Sequence, residues 1–179
     1  IHTKQGGVLM HVVLLGYYGF DNDGDEAILL SIINALKKTH PSIEITVLSN
    51  QPEKTRKTYE VHAVNRWRIR DLNTAIRSAD GLICGGGSLL QDETGWRSVP
   101  YYLSVMQLAL LHRKPVFVYA QGIGPIKRNI NRKLVQFVLN RVSRITVRDV
   151  SSRQFLQKIG VKQPIQIVPD PVFGIELDM

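Results

Sequence analysis

Three times along this chain of 179 residues a short apolar run gives way at once to glycines. Val12-Val13-Leu14-Leu15 runs into Gly16-Tyr17-Tyr18-Gly19, Gly81-Leu82-Ile83-Cys84 into Gly85-Gly86-Gly87-Ser88, and Val116-Phe117-Val118-Tyr119 into Gln121-Gly122-Ile123-Gly124-Pro125. A short continuous apolar run reads as a strand buried on both faces. After the first loop, Ala27, Ile28, Leu29, Ile32, Ile33 and Leu36 recur at helical spacing, so the loop delivers Asp25 and Glu26 to the first turn of a helix. The same alternation of strand and helix continues along the chain. It specifies an α/β fold, a Rossmann-like parallel sheet with helices on both faces. In open sheets of this kind ligands bind beyond the carboxyl ends of the strands, and all three glycine loops are expected along that edge.

The spacing predicts further strands at Ile43–Leu48, Val61–Val64, Ile145–Val147 and Ile165–Val168. Gln51–Tyr59 reads as a loop or short helix, and Asp71–Ser78 as a short helix. Pro100–His112 is apolar nearly all round and is expected to be deeply buried. Asn131–Val142 carries a stripe at Leu134, Val138 and Val142, and a helix capped by Ser151 or Ser152 closes at Gly160. Residues 1–9 are read as an upstream extension or cloning remnant, 10–173 as one domain, and 174–179 as the start of a linker toward a second domain.

Composition bounds the class. Hydrophobic residues make up 44% and charged residues 21%, as in a globular chain. The single cysteine, Cys84, allows no internal disulfide and suits a reducing cytoplasm. A net charge of +8 favours anionic partners. The basic residues are spread out, with clusters at Arg66–Arg70, Lys127–Lys133 and Arg141–Arg148 that read first as solvated faces. Only the first carries an aromatic, Trp67, which is little for a base-stacking surface, so no nucleic-acid partner is expected.

Several chemistries are excluded. The Gly-x-Gly-x-x-Gly dinucleotide fingerprint is missing from the first loop, and Gly-x-x-x-x-Gly-Lys is missing everywhere. His2, His11, His40, His62 and His112 lack ligand spacing and Cys84 has no partner cysteine, so no metal site is predicted. No Gly-x-Ser-x-Gly elbow is present. What remains is a carboxylate, an arginine at the end of a strand (Arg148) and glycine loops converging on one edge. Gly85-Gly86-Gly87-Ser88 is suited either to an anion nest or to a tight turn.

In order along the chain, Gly16-Tyr17-Tyr18-Gly19-Phe20, Asn22-x-Gly24-Asp25-Glu26-Ala27, Gly85-Gly86-Gly87-Ser88-Leu89-Leu90-Gln91-Asp92, Gln121-Gly122-Ile123-Gly124-Pro125 and Val147-Arg148-Asp149-x-x-Ser152 resemble the polysaccharide pyruvyl transferase family, CsaB-type enzymes in particular. The resemblance spans Met10–Phe173. It implies the N-terminal half of a two-domain enzyme similar to GT-B glycosyltransferases. It also implies transfer of a pyruvyl group from phosphoenolpyruvate to an N-acetylmannosamine of a lipid-linked cell-wall precursor, giving a ketal of the kind that anchors S-layer proteins. Phosphoenolpyruvate enters as co-substrate and no cofactor is implied. On this reading Asp25 is the general base and Arg148 the anion clamp, helped by the amides of Gly86 and Gly87. Gly19, Asn22, Gly24, Glu26, Ser88, Gln91, Gln121, Gly122 and Gly124 complete the substrate-binding set. A histidine acid and a donor-binding lysine are expected from the second domain, leaving this chain alone inactive. The location implied is cytoplasmic, at the inner face of an anionic membrane. A nucleotide-sugar glycosyltransferase and a non-catalytic sugar-binding domain are the rival readings.

Overall fold

The computed structural model describes residues 9–168, and the expectations for residues 1–8 and 169–179 fall outside it. The elements follow in the order β1 (His11–Leu15), α1 (Asp23–Thr39), β2 (Glu44–Ser49), α2 (Pro52–Tyr59), β3 (His62–Asn65), α3 (Ile69–Ser78), β4 (Gly81–Gly85), α4 (Ser98–Leu111), β5 (Val116–Gln121), α5 (Asn129–Leu139), β6 (Arg144–Val147), α6 (Val150–Lys158) and β7 (Ile165–Ile167). All seven strands pair in parallel, in the order β3-β2-β1-β4-β5-β6-β7. The order reverses between β1 and β4, and the carboxyl ends of those two strands frame the crevice where doubly wound sheets take their ligands.

The four apolar residues of β1 divide between two cores because successive side chains leave opposite faces of a strand. Val12 and Leu14 pack with Leu29, Ile32, Ile33 and Leu36 of α1. Val13 and Leu15 pack with residues of α3, α4, α5 and α6, including Ile76, Leu103, Met106, Val135 and Leu156. Burial of α1 fixes where its first turn emerges, and hence where Asp25 lies.

Of the two readings of the polar stretch after β2, the short helix is the one observed: α2 has Pro52 in its first turn, where a missing N–H costs nothing. Several other elements differ from the sequence reading. Helix α6 is capped by Asp149 rather than by a serine: its carboxylate accepts from the Ser152 amide at 2.7 Å and from the Ser151 hydroxyl. Ser152 instead accepts from the Ile123 amide and ties α6 to the third glycine loop. Of the stripe assigned to α5, Val138 and Val142 are buried as expected and only Leu134 departs from it. Val135, Val138 and Leu139 are buried and Leu134 faces out. Helix α4 is not buried all round, since Leu111 is exposed.

Candidate functional site

The loop after β1 is held open by its own residues. Asn22 caps α1, its side-chain oxygen accepting from the amides of Gly24 (3.1 Å) and Asp25 (3.2 Å). Glu26 turns back to accept from the Gly19 amide at 2.8 Å and from the Tyr59 hydroxyl, which fastens the loop to α2. These bonds give Asn22, Gly19, Gly24 and Glu26 the task of shaping the loop, and they leave Asp25 to face the crevice.

The loop after β4 closes on Asp25 from the other side. Gly86 and Gly87 both have positive φ, +66° and +70°, which disfavours any side chain. A Cβ on Gly86 would lie 2.1 Å from Ile28 of α1, so that glycine lets the helix and the loop meet. The Gly86 amide donates to the Tyr119 carbonyl at 2.9 Å, which removes it from the anion-binding role expected of it. Gly87 is the residue that abuts Asp25, with room for a hydrogen and nothing larger.

The third loop locks onto the second. Gly122 donates to the Gly87 carbonyl at 2.8 Å, Gly124 donates to the Leu90 carbonyl at 2.8 Å, and a parallel bridge joins Leu90 to Ile123. Gln121 is 0% exposed. Its amide donates to the Gly86 carbonyl at 2.9 Å and its oxygen accepts from Leu89. It therefore positions the loop from beneath and does not contact a ligand in the crevice, where the sequence reading had placed it. Arg148 leaves the end of β6, packs over Gly122 and donates to the Ser88 hydroxyl at 2.9 Å. It also lies 3.7 Å from Asp149 in an exposed ion pair, which adds little binding energy of its own.

Beside these groups a cavity of about 460 Å3 is lined by Tyr17, Asn22, Asp25, Ser88, Gln91 and Tyr102, among others. Hydroxyls, amides and one carboxylate around a tyrosine face suit a hydroxylated ligand such as a saccharide. Gln91 is itself braced, donating to Thr94 and accepting from the amides of Glu93 and Thr94. Burial raises the Asp25 carboxyl above the ordinary carboxylate range, and the charge of Glu26 raises it further. A carboxylate made more basic in this way is better matched to accepting a proton from a hydroxyl.

Sequence reasoning passed over Arg66 as one of a solvated cluster. It is 3% exposed and sits just beyond the carboxyl end of β3. Its guanidinium donates to the Gly16 carbonyl at 2.8 Å and to the Tyr102 hydroxyl at 3.2 Å. The rings of Phe20, Trp67, Tyr101 and Tyr102 surround it at 4.5–5.4 Å. Its Nε has no partner, and no described carboxylate pairs with it. Aromatic faces substitute for a counter-ion. Because Tyr102 accepts from Arg66, its own proton is free to be donated elsewhere, and burial pushes its phenol up to about 12. Only Trp67 adjoins Arg66 in the sequence; Tyr101 and Tyr102 reach it from α4 and Phe20 from the first loop, so the cage is not written locally.

The polysaccharide pyruvyl transferase model matches residues 22–178, from the cap of α1 to beyond the last described strand. The chain belongs to that family. Among curated proteins it is similar to the amylovoran biosynthesis protein AmsJ of Erwinia amylovora, with 22% identity over 193 residues, covering 85% of this chain and 46% of that protein. The chain thus spans about half the length of the curated relative it matches. Among solved structures it is similar to the Moco carrier protein of Chlamydomonas reinhardtii, at 13% identity and a TM-score of 0.43, covering 84% of this chain and 99% of that one. A weaker likeness is to an archaeal fructose 1,6-bisphosphate aldolase, at 11% identity and a TM-score of 0.36, covering 89% and 73%. Neither structural likeness bears on function. Among the described residues no helix is long and apolar enough to cross a membrane.

Proposed function

We propose that this chain provides the acceptor side of a pyruvyl transferase that moves the enolpyruvyl carbons of phosphoenolpyruvate onto a sugar. The observation that carries the reading is the meeting of Asp25, Gly87 and the Ser88–Arg148 pair at the switch point of a sheet in this family.

Asp25 takes the proton of a sugar hydroxyl as its oxygen bonds to the central carbon of phosphoenolpyruvate. The methylene carbon gains a proton and becomes a methyl group. A second hydroxyl bonds to the same carbon and passes its proton to the departing phosphate, as the C–O bond to phosphate breaks and inorganic phosphate leaves with the electron pair. Arg148 holds the carboxylate or the departing phosphate, a bidentate task for which a guanidinium is shaped. The Gly87 amide, from which no described residue accepts, faces the same charge.

Beyond Asp25, the described residues that line the cavity offer the phenols of Tyr17 and Tyr102, and burial pushes the Tyr102 phenol up to about 12, a poor acid near neutral pH; we assign the proton for the methylene to residues outside them. This chain by itself then binds acceptor without turning over. The acceptor is an N-acetylmannosamine of a lipid-linked precursor, presented at the inner face of the cell membrane. The ketal adds a carboxylate to a cell-wall polymer.

Titration of this chain with N-acetylmannosamine tests the reading by NMR. Shifts at Tyr17, Asp25, Ser88 and Gln91 with none at the amino ends of the strands are expected. Shifts elsewhere, or none, would refute it.

A further inference from the structure

Helix α5 turns a surface outward that its position in the core does not require. Val135, Val138 and Leu139 face the sheet, while Ile130, Leu134 and Phe137 are 66%, 38% and 49% exposed. Their spacing, four and then three residues, stacks them on one face of the helix. Arg141 continues the row, donating to the Phe137 carbonyl and laying its guanidinium 3.6 Å from the centre of that ring. Residues 127–148 hold seven lysines and arginines and no aspartate or glutamate.

Beside the apolar row, a groove of about 330 Å3 runs between α5 and α6, lined by Arg132, Lys133, Lys158, Phe155 and Ile159. None of these cations forms an ion pair with a described residue. Exposed bulky apolar side chains flanked by unpaired lysines and arginines are the composition of an element that lies in a lipid interface. A nucleic acid would neutralise the cations but leave Ile130, Leu134 and Phe137 against phosphates with nothing to bury them.

We propose that α5 and the α5–α6 groove dock this chain on an anionic phospholipid surface. Ile130, Leu134 and Phe137 enter the headgroup layer, and Arg132, Lys133 and Lys158 meet lipid phosphates. The surface adjoins the candidate site. The amides of Lys127 and Arg128, just ahead of α5, donate to the Asp92 carboxylate at 2.8 and 3.0 Å, and Asp92 lies on the loop that follows Gly85-Gly86-Gly87-Ser88. Docking would set the mouth of the site beside the leaflet, where a lipid-linked acceptor resides. The docking itself depends on no step of pyruvyl transfer, and its test reads lipid binding alone.

The test is flotation of the chain with phosphatidylcholine vesicles, with and without phosphatidylglycerol. Partition onto the phosphatidylglycerol vesicles alone, weakened by salt, is expected. Paired substitutions Leu134→Glu with Phe137→Glu, and Lys133→Glu with Lys158→Glu, each lower partition by roughly tenfold or more, with circular dichroism unchanged. Lys38→Glu with Lys57→Glu, on the helices of the opposite face, leaves it within about twofold. No partition, or equal losses from all three pairs, overturns the proposal. Self-association abolished by Leu134→Glu without vesicle binding also overturns it, in favour of a protein partner.

Discussion

A Cβ built on Gly87 would lie 2.7 Å from Oδ1 of Asp25. Two strands far apart in sequence thus deliver a carboxylate and a bare backbone to the same point. Gly87→Ala is expected to displace the carboxylate while leaving the sheet intact. Turnover falls by on the order of 100-fold and stability by about 1 kcal/mol, the cost of a side chain at positive φ. Steady-state rates of a protein carrying the variant chain at the length of its relatives, together with thermal melts, check both, and an unchanged rate would detach Asp25 from the chemistry.

Asp25→Asn removes the proposed base and is expected to abolish turnover. The effect on stability has the opposite sign from that of a structural ion pair. Burial raises the folded-state value of Asp25 above its unfolded one, so the folded state binds the proton more tightly and the ionised carboxylate opposes folding above the unfolded-state value. The variant should therefore melt at the same temperature as the parent or higher near neutral pH. A marked fall in melting temperature would give Asp25 a structural role instead.

The same shift sets the pH profile. The acidic limb of kcat/KM is expected above the ordinary carboxylate range, because the base must be ionised to act. Glu26→Gln removes the second cause of the shift while keeping an acceptor for the Gly19 amide. The limb then moves to lower pH, partway only, since burial is the larger cause. A limb that stays where it was would mean that another group is being titrated.

Arg66→Lys loses the fork that joins the Gly16 carbonyl to the Tyr102 hydroxyl, and a compact ammonium fits poorly between four rings. A loss of about 1–3 kcal/mol is expected from denaturant unfolding, with a changed near-ultraviolet signal from the aromatic cage. If the melt and the spectrum both stay unchanged, Arg66 does not brace the β1 loop.

How far the sequence carried these conclusions depended on how local each signal was. The strand–glycine–helix junction at Leu15–Asp25 is written in adjacent residues, and the sheet edge it implies is the one observed. Asp25 could be singled out because it lies in the first turn of the helix that follows the first glycine loop, and Arg148 because it follows a strand directly. Arg66 could not, since its burial depends on Tyr101 and Tyr102 arriving from α4 and Phe20 from the first loop. Gln121 reads as a loop residue beside glycines, yet its side chain turns inward because the Gly86 carbonyl needs a donor there. Leu134, one residue of the stripe assigned to α5, was misread for a different reason. Leu134, Val138 and Val142 match a helical period as well as Val135, Val138 and Leu139 do, and only the position of the sheet decides between them.

The most direct measurement is phosphate release from phosphoenolpyruvate by a protein carrying this chain at the length of its relatives, with and without a lipid-linked N-acetylmannosamine acceptor. The account predicts release that requires the acceptor and disappears in Asp25→Asn, with the acceptor gaining a pyruvyl ketal. Release that ignores the acceptor, or that survives Asp25→Asn, would contradict it.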